Sequence, residues 1–438
     1  AGFEIYLVGG SVRDLLMNRP IHDWDFTTNA TPEEILALFP DSFYDNKFGT
    51  VGIKDEDDDV YSKKSFAYEV TTFRTESHYS DSRHPDKISW GKTLEEDLAR
   101  RDFTINAIAY DGKTFVDPYH GQDDLKEKII RAVGEPNLRF SEDALRLLRA
   151  IRIATELEFT IEPETFAAVK QNAPSIQKIS WERIHDELFK ILKSKFPYEG
   201  LMLLKNSGLI NELLPELEIG FTTPQVSPGR HHLYDVGTHS FLSLKFCPSS
   251  DPVTRLATLL HDIGKPLVFK KDEVTGLITF YNHEILSTKL ARKISERLKM
   301  SKKDSLKFLT LIRWHQFSVD EHQTDSALRR FIRRVGKENL EDMLALRIGD
   351  RLGGGARETS WRLEEFKKRL VLVQQQPFTV ADLKVDGHDV MEILKIKPGP
   401  KIGEILNELF AEVVKNPEKN EREYLLKRIN SFLSPPNK

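Results

Sequence analysis

Cysteine is nearly absent: among 438 residues there is one, Cys247. A single thiol excludes an intrachain disulfide framework and a cysteine-based zinc site, and it suits a reducing cytoplasm. The chain also lacks any run of about 18 apolar residues, which excludes a membrane-spanning helix. It opens on Ala-Gly-Phe-Glu-Ile-Tyr-Leu-Val-Gly-Gly without the charged, apolar and small-residue zones of a signal peptide, so secretion is not expected. No charge dominates either: 64 Lys and Arg stand against 68 Asp and Glu, a net of −4, so any polyanion site must come from local segregation of charge. What is present is enough apolar side chain, 39% of residues beside 30% charged, to rule out wholesale disorder. At roughly 150 residues per domain the length allows about three packed units. With thiols scarce, metal chemistry falls to carboxylates and to the 13 histidines.

The texture changes along the chain. Up to about residue 134 it reads as mixed α/β: Ile5 to Val8 runs into Gly9-Gly10 and leaves as a helix, Trp24 to Thr28 and Tyr68 to Phe73 have strand composition, and Thr104 to Tyr110 with Lys113 to Val116 reads as a hairpin across Asp111-Gly112. Beyond Pro136 the period is helical, as in Ala144, Leu147, Leu148, Ile151 and Ala154. Pro and Gly clusters at 215–228, 353–355 and 398–400 mark joints. The acidic run 55–59 reads as a hairpin tip. Residues 283–340 carry 14 Lys and Arg against 7 Asp and Glu, an excess suited to a phosphate backbone or to a solvated helix face.

Asp23 and Asp25 flank Trp24, and at strand period two their carboxylates share a face. Such a pair suits Mg²⁺, which binds through carboxylates plus substrate phosphates. Alone, Asp-x-Asp is commonly a turn. Upstream, however, Gly9-Gly10-Ser11 opens a helix with backbone N–H groups offered to phosphate and Arg13 close behind. Further on come Arg100-Arg101-Asp102-Phe103-Thr104-Ile105-Asn106 and Glu142-Asp143-x-x-Arg146. Alone, Glu-Asp-x-x-Arg is commonly an ordinary helix ion pair; three residues apart, Asp143 and Arg146 are expected on one helix face, where they could also meet one base edge. Cytosine and adenine both carry an exocyclic amine beside an unprotonated ring nitrogen, so a carboxylate can accept while a guanidinium donates. Uracil and guanine would leave both protein groups unmatched, at about 1–3 kcal/mol each.

These segments together resemble the class II tRNA nucleotidyltransferase and bacterial poly(A) polymerase family. The resemblance implies that Gly9, Gly10 and Arg13 hold the incoming triphosphate, that Asp23 and Asp25 are catalytic and bind Mg²⁺, that Arg101, Asp102 and Asn106 recognise the ribose, and that Asp143 and Arg146, with Arg149 nearby, serve nucleotide binding. Polymerases of this broad type often use a third carboxylate, for which Glu69 is the candidate; a plain surface strand residue is the other reading. The polar segment 75–86 reads as a mobile loop, and in this family such a loop assists the switch from C to A. Near the carboxyl end, 383–391 and 398–403 resemble the tail of bacterial CCA-adding enzymes, where helices receive the tRNA elbow.

A second set is His239, His261-Asp262, His283, His315 and Asp350, separated by 22, 21, 32 and 35 residues of helical sequence. Each can come from a separate helix. The pattern resembles the HD phosphohydrolase superfamily, and imidazoles with carboxylates suit Ni²⁺, Mn²⁺, Co²⁺, Fe²⁺ or Zn²⁺. His283 and His315 would complete a second metal position. The implied activities are phosphatase and 2′,3′-cyclic phosphodiesterase; the alternative is a metal-free structural relic.

The expected architecture is α+β: a mixed-sheet nucleotidyltransferase head (1–134), then an all-helical neck (135–229), HD domain (230–356) and tRNA-binding tail (357–438). The implied reaction is addition of CCA to tRNA 3′ ends from CTP and ATP, in the cytoplasm and away from membranes. CC-only or A-only addition, poly(A) synthesis, and an HD phosphohydrolase with an RNA-binding head are the alternatives.

Overall fold

The protein is described by a computed structural model that covers residues 2–21, 23–45, 49–54, 68–77, 87–91, 93–226, 233–320, 323–356, 360–374 and 380–433. The acidic run 55–59 and residues 78–86 of the polar segment lie outside the described residues. No described helix is long and apolar enough to cross a membrane.

The front of the chain folds as β1 (Ile5–Val8), α1 (Gly10–Leu16), β2 (Trp24–Thr28), α2 (Pro32–Leu38), β3 (Phe43–Asp45), β4 (Thr50–Ile53), β5 (Tyr68–Thr72), β6 (Arg74–Ser77), β7 (Lys87–Trp90), α3 (Leu94–Ala99), β8 (Ala109–Tyr110), β9 (Phe115–Val116) and α4 (Gly121–Glu127). Seven strands make one sheet in the order β3-β4-β5-β2-β1-β8-β9, while β6 and β7 pair separately. Only β2 and β5 run parallel in the seven-stranded sheet, so it is mixed. The register of that pair sets Asp25 beside Glu69.

Two local expectations change. Thr104 to Asn106 is a tight 3₁₀ turn rather than strand, and the hairpin begins only at Ala109. This apolar stretch is buried throughout, so it has no alternation to separate a strand from a turn. Thr75 to Ser77, expected in a loop, belong to β6 paired with β7.

The remainder is mostly helical rather than all-helical: Thr160–Ile161 pairs in parallel with Ile129–Ile130, and Lys270–Lys271 pairs with Ile278–Thr279 in a short antiparallel ladder. It comprises α5 (Pro136–Glu142), α6 (Leu145–Leu157), α7 (Pro163–Asn172), α8 (Trp181–Lys193), α9 (Pro197–Asn206), α10 (Leu209–Leu213), α11 (Pro215–Glu218), α12 (Val236–Lys245), α13 (Pro252–Leu260), α14 (His283–Arg297), α15 (Lys302–Trp314), α16 (Asp325–Val335), α17 (Leu340–Gly353), α18 (Trp361–Gln374), α19 (Gly387–Leu394), α20 (Pro400–Lys415) and α21 (Arg422–Asn430). Asp235, Asp251, Ser301 and Thr324 cap the helices that follow them by accepting a backbone N–H. Leu147, Leu148, Ile151 and Ala154 on α6 enter one hydrophobic core that continues from Phe103 to Val373, and Leu383 to Ile429 form a second. The helix that follows residue 357, α18, gives Phe366, Leu370 and Val373 to the first core. Neck and histidine-bearing helices thus pack as one body, which fixes the side chains between them.

Candidate active site and histidine cluster

The chain leaves β1 through Gly9 at φ +69° and ψ −139°, a conformation open to glycine and strained for other residues. A Cβ there would stand 2.9 Å from Arg101 Nη1 and 3.6 Å from Asp25 Oδ2, so the turn is where arginine and carboxylate converge. Ser11 ties it to the Asp-x-Asp segment: its Oγ donates to the Asp23 carbonyl (2.7 Å) and accepts the Asp25 N–H (3.0 Å). Sequence reading named Ser11 only as part of the backbone turn, and the role of its side chain appears only in the contact. Burial, then the neighbouring Glu69 charge, pushes the Asp25 carboxyl up to about 6; Asp23 adds to this and Arg101 and Arg13 oppose it. Negative charge so poorly balanced fits a divalent cation.

A chain of polar contacts leads away from the glycine turn. Arg13 donates to Asn106 Oδ1 (3.0 Å), Asn106 Nδ2 donates to Asp102 Oδ1 (3.1 Å), and Arg149 grips Asp102 Oδ2 through Nε (2.8 Å) and Nη2 (2.6 Å). Burial opposes ionisation of Asp102, yet Arg149, Asn106 and Arg146 hold its carboxyl far below the usual range. Fully buried Asp97 of α3 pairs with Arg100 at 2.6 Å and Arg101 at 3.1 Å. Sequence reading missed Asp97; one acidic residue in a Leu-Glu-Glu-Asp helix carries no signal of what it supports.

Asp143 and Arg146 do not share a helix face. The helix breaks between α5 and α6, leaving Asp143 extended (φ −140°) with its Oδ1 accepting the N–H of Leu145. Its partner is Arg183 of α8, at 2.7 Å, a residue that sequence reading did not single out. Arg146 turns instead to Glu142 (2.5 Å) and to the carbonyls of Arg139 (3.0 Å) and Arg100 (2.8 Å). An Asp that satisfies a helix start competes with continuation of the preceding helix, and the unbroken apolar period hid the interruption.

All six members of the histidine set converge. His239 comes from α12, His261 and Asp262 from the end of α13, His283 from the start of α14, His315 from the end of α15 and Asp350 from α17. His239 and His261 Nε2 are 3.3 Å apart, as are those of His283 and His315. Asp262 lies between the pairs, 3.2 Å from His261 and 3.1 Å from His283, and Asp350 is 3.2 Å from His239. Two groups, His239-His261-Asp262 and Asp262-His283-His315, have ligand spacing. Three rings share one device: the Nδ1 of His261, His283 and His315 lies 2.7–2.8 Å from the carbonyl three residues back, at Thr258, Phe280 and Ile312. In the neutral ring, donation there leaves the Nε2 lone pair facing inward, as metal ligation needs. Close approach of α17 and α12 helps bring Asp350 in, since a Cβ on Gly349 or Gly353 would meet Ser243 at 2.5 or 2.4 Å. Buried Lys265, without an assigned role in the sequence, reaches Asp262 at 2.6 Å and Gln225 at 2.9 Å. Burial lowers the His315 imidazole; it opposes protonation of His261 too, but Asp262 and Asp350 push that ring up to about 10.

Carboxylates on adjacent strands beside a glycine turn and an arginine row define the class, a nucleotidyltransferase. Matching family models agree: the poly A polymerase head domain over residues 5–131, the probable RNA and SrmB-binding site of polymerase A over 158–219, and the putative tRNA nucleotidyltransferase domain 2 over 272–429. The CCA-adding enzyme of Ligilactobacillus salivarius (strain UCC118) is 34% identical over 438 residues, covering 99% of this chain and 94% of that protein. An A-adding tRNA nucleotidyltransferase of Deinococcus radiodurans is 38% identical over 340 residues, 74% and 76% of the two chains. Among solved structures, the Bacillus stearothermophilus CCA-adding enzyme in complex with CTP superposes with a TM-score of 0.69 at 30% identity, covering 99% of this chain and 95% of that one. The chain belongs to the CCA-adding enzyme family, whose nucleotidyltransferase head implies a divalent metal ion.

Proposed function

We propose that this protein adds C, C and A to the 3′ end of tRNA from CTP and ATP, without a nucleic-acid template and in the cytoplasm. The observation that carries the reading is the in-register pair Asp25 and Glu69 beside the Gly9 turn, from which Arg13, Asn106, Asp102 and Arg149 lead on in one hydrogen-bonded row. The tRNA 3′-hydroxyl loses its proton to water as its oxygen bonds to the α-phosphorus, the bond to the β-phosphate bridge breaks, and pyrophosphate leaves. Asp23, Asp25 and Glu69 would hold Mg²⁺, which supplies charge neutralisation and alignment of the reacting oxygens when bound. Gly9, Gly10 and Arg13 hold the triphosphate, and Arg101, Asp102 and Asn106 meet the ribose. Asp102 works as an ionised acceptor that its arginines keep in place. Asp143 accepts from the exocyclic amine and Arg146 donates to the ring nitrogen, exchanging its resting contact with Glu142 for the base. The division into head (1–134), neck (135–229), histidine-bearing domain (230–356) and tail (357–438) goes with this reading, the tail receiving the tRNA elbow.

The A-adding relative makes the subtype the point to test. Purified protein is given tRNAs ending before CCA, at C and at CC, with CTP and ATP separately and together. Completion of all three with both nucleotides is expected. Failure to incorporate CTP would make the protein an A-adding enzyme, and long adenylate tails a poly(A) polymerase.

A second reading concerns the histidine cluster, favoured by its inward-facing Nε2 atoms and two ligand groups. It is a phosphohydrolase site for 2′,3′-cyclic or phosphorylated RNA ends. His239, His261, Asp262, His283, His315 and Asp350 would hold Ni²⁺, Mn²⁺, Co²⁺, Fe²⁺ or Zn²⁺, which activates water when bound. Opening of a 2′,3′-cyclic end to a monophosphate, or release of phosphate from a monophosphate end, with Ni²⁺ or Mn²⁺ and lost in His261→Ala, is the expected result; absence of both reactions in the unaltered protein rejects it.

A further inference from the structure

A cavity of about 390 Å³ lies against the histidine cluster and shares a wall with it: His283 lines the cavity and is also a member of the Asp262-His283-His315 group. We propose that this cavity is a nucleoside subsite, which takes the base and ribose of an unpaired 3′-terminal nucleotide while its phosphate reaches the cluster. The proposal rests on the phosphohydrolase reading of the cluster for its chemistry, and on the cavity itself for its ligand.

Size comes first. The volume falls near the lower end of ordinary ligand sites, about 300–1,000 Å³, which suits one nucleoside. Wall chemistry comes second. Tyr281 stands there with 74% of its surface exposed, a large ring left to water beside a polar centre. A base stacked on it would cover that face, and such stacking tolerates any base. Asn282 and Gln316 are amides, each offering donor and acceptor to a base edge, so they too select no single base. On the cluster side Lys265 brings its ammonium to Asp262, placing positive charge where a phosphate would arrive. Glu284, the carboxylate in the cavity wall, is engaged by Arg313 at 3.4 Å, which offsets its repulsion of a phosphate. The backbone joins the two functions. Asn282 adopts φ +63°, an uncommon conformation away from glycine, and around this turn the Phe280 carbonyl meets His283 Nδ1 while Tyr281 joins the cavity wall. An amide-and-tyrosine wall that ignores base identity is what a site for miscellaneous RNA ends requires. In the hydrolysis of a cyclic end, a water oxygen bonds to phosphorus, one ribose P–O bond breaks, and that ribose oxygen takes the proton the water loses.

The test uses the full chain and two exposed-site variants, Tyr281→Ala and Gln316→Ala, with thermal unfolding to confirm that they fold. Calorimetric titration with adenosine 3′-monophosphate and cytidine 3′-monophosphate should show binding of both, weakened about tenfold to a hundredfold by Tyr281→Ala. In the Mn²⁺- or Ni²⁺-loaded protein, the ratio of kcat/KM for 2′,3′-cyclic nucleotides over p-nitrophenyl phosphate should fall at least tenfold in the same variant. If the unaltered protein hydrolyses neither compound but 3′-monophosphate binding still depends on Tyr281, the subsite stands and the phosphohydrolase reading falls. If 3′-monophosphates do not bind, or if both variants leave binding and the ratio unchanged, the subsite is overturned whether or not hydrolysis occurs.

Discussion

The head site and the histidine cluster differ in how far their functional groups are already engaged by neighbouring charges. In the cluster all four imidazoles are at most 3% exposed, and three are fixed by a carbonyl of their own chain three residues back. In the head, the groups assigned to the base carry ion pairs beside their backbone contacts: Asp143 pairs with Arg183 and accepts the Leu145 N–H, and Arg146 pairs with Glu142 and donates to the carbonyls of Arg139 and Arg100. One site is set before any ligand arrives; the other must exchange partners to read a nucleotide. Substitutions in the cluster should therefore act through metal occupancy, and those around Asp143 through nucleotide affinity and choice.

The largest separation between the two sites comes from the head carboxylates. Replacing both, Asp23→Ala with Asp25→Ala, should lower nucleotide addition by about a thousandfold or more, some 4 kcal/mol of barrier, because the charge that holds Mg²⁺ is gone. Hydrolysis at the cluster should persist in the same protein. Measurable CCA addition by that variant would sink the head assignment. Conversely, His261→Ala should weaken metal binding at the cluster by about a hundredfold, read as metal content after dialysis, and leave tRNA extension intact. Equal damage to both activities would mean that the shared hydrophobic core, rather than the ligands, had been disturbed.

The same contrast explains what the sequence discloses. Gly9-Gly10, Asp23-x-Asp25 and His261-Asp262 are legible because each is a short pattern whose chemistry needs those types at that spacing. The four histidines and Asp350 were legible as a set because helical sequence separates them, and helices can point distant residues at one place. Mixed strands before 134 and helices after 136 followed from periodicity. Partners were not legible. Arg183 lies 40 residues from Asp143, and Asp97 is one of several acidic residues in its helix. The break at Asp143 was invisible because apolar residues keep their spacing across it, and the 3₁₀ turn at Thr104 because the stretch around it is buried on every side.

Arg183 offers a smaller, more discriminating probe. Its guanidinium occupies two sides of the Asp143 carboxylate, at 2.7 and 3.4 Å, and orients what remains for a base amine. Arg183→Ala should raise KM for CTP and ATP about tenfold, the worth of one charge-assisted contact, with a smaller change in kcat. Misincorporation of UTP and GTP should increase, and Arg183→Lys should restore part of the selectivity. An unchanged KM and unchanged selectivity would show that Asp143 keeps its place without Arg183, making the head as preset as the cluster.

The smallest effect concerns stability and separates the sites by sign. Asp25 has a native carboxyl near 6 against an ordinary value of 3.8, so the native state binds its proton more tightly than the unfolded chain does. Stability therefore declines as pH rises from about 4 to about 6, and above that the full penalty of the ionised group is present. Asp25→Asn removes the penalty, and in metal-free protein at pH 7 it should stabilise by about 1–2 kcal/mol, discounting about 3 kcal/mol from the shift for relaxation and residual solvent access. Asp262 behaves oppositely, because burial resists its charge but His261 and Lys265 hold it well below the ordinary carboxylate range. Its native carboxyl contributes stability above the unfolded value, lost as pH falls, so Asp262→Asn should destabilise the metal-free protein. Chemical denaturation of both variants without metal, at pH 5 and pH 7, measures the difference. The gain for Asp25→Asn should shrink at pH 5, where the native carboxyl is already mostly protonated; a gain that is the same at both pH values would show that it does not come from burying an ionised Asp25 beside Glu69.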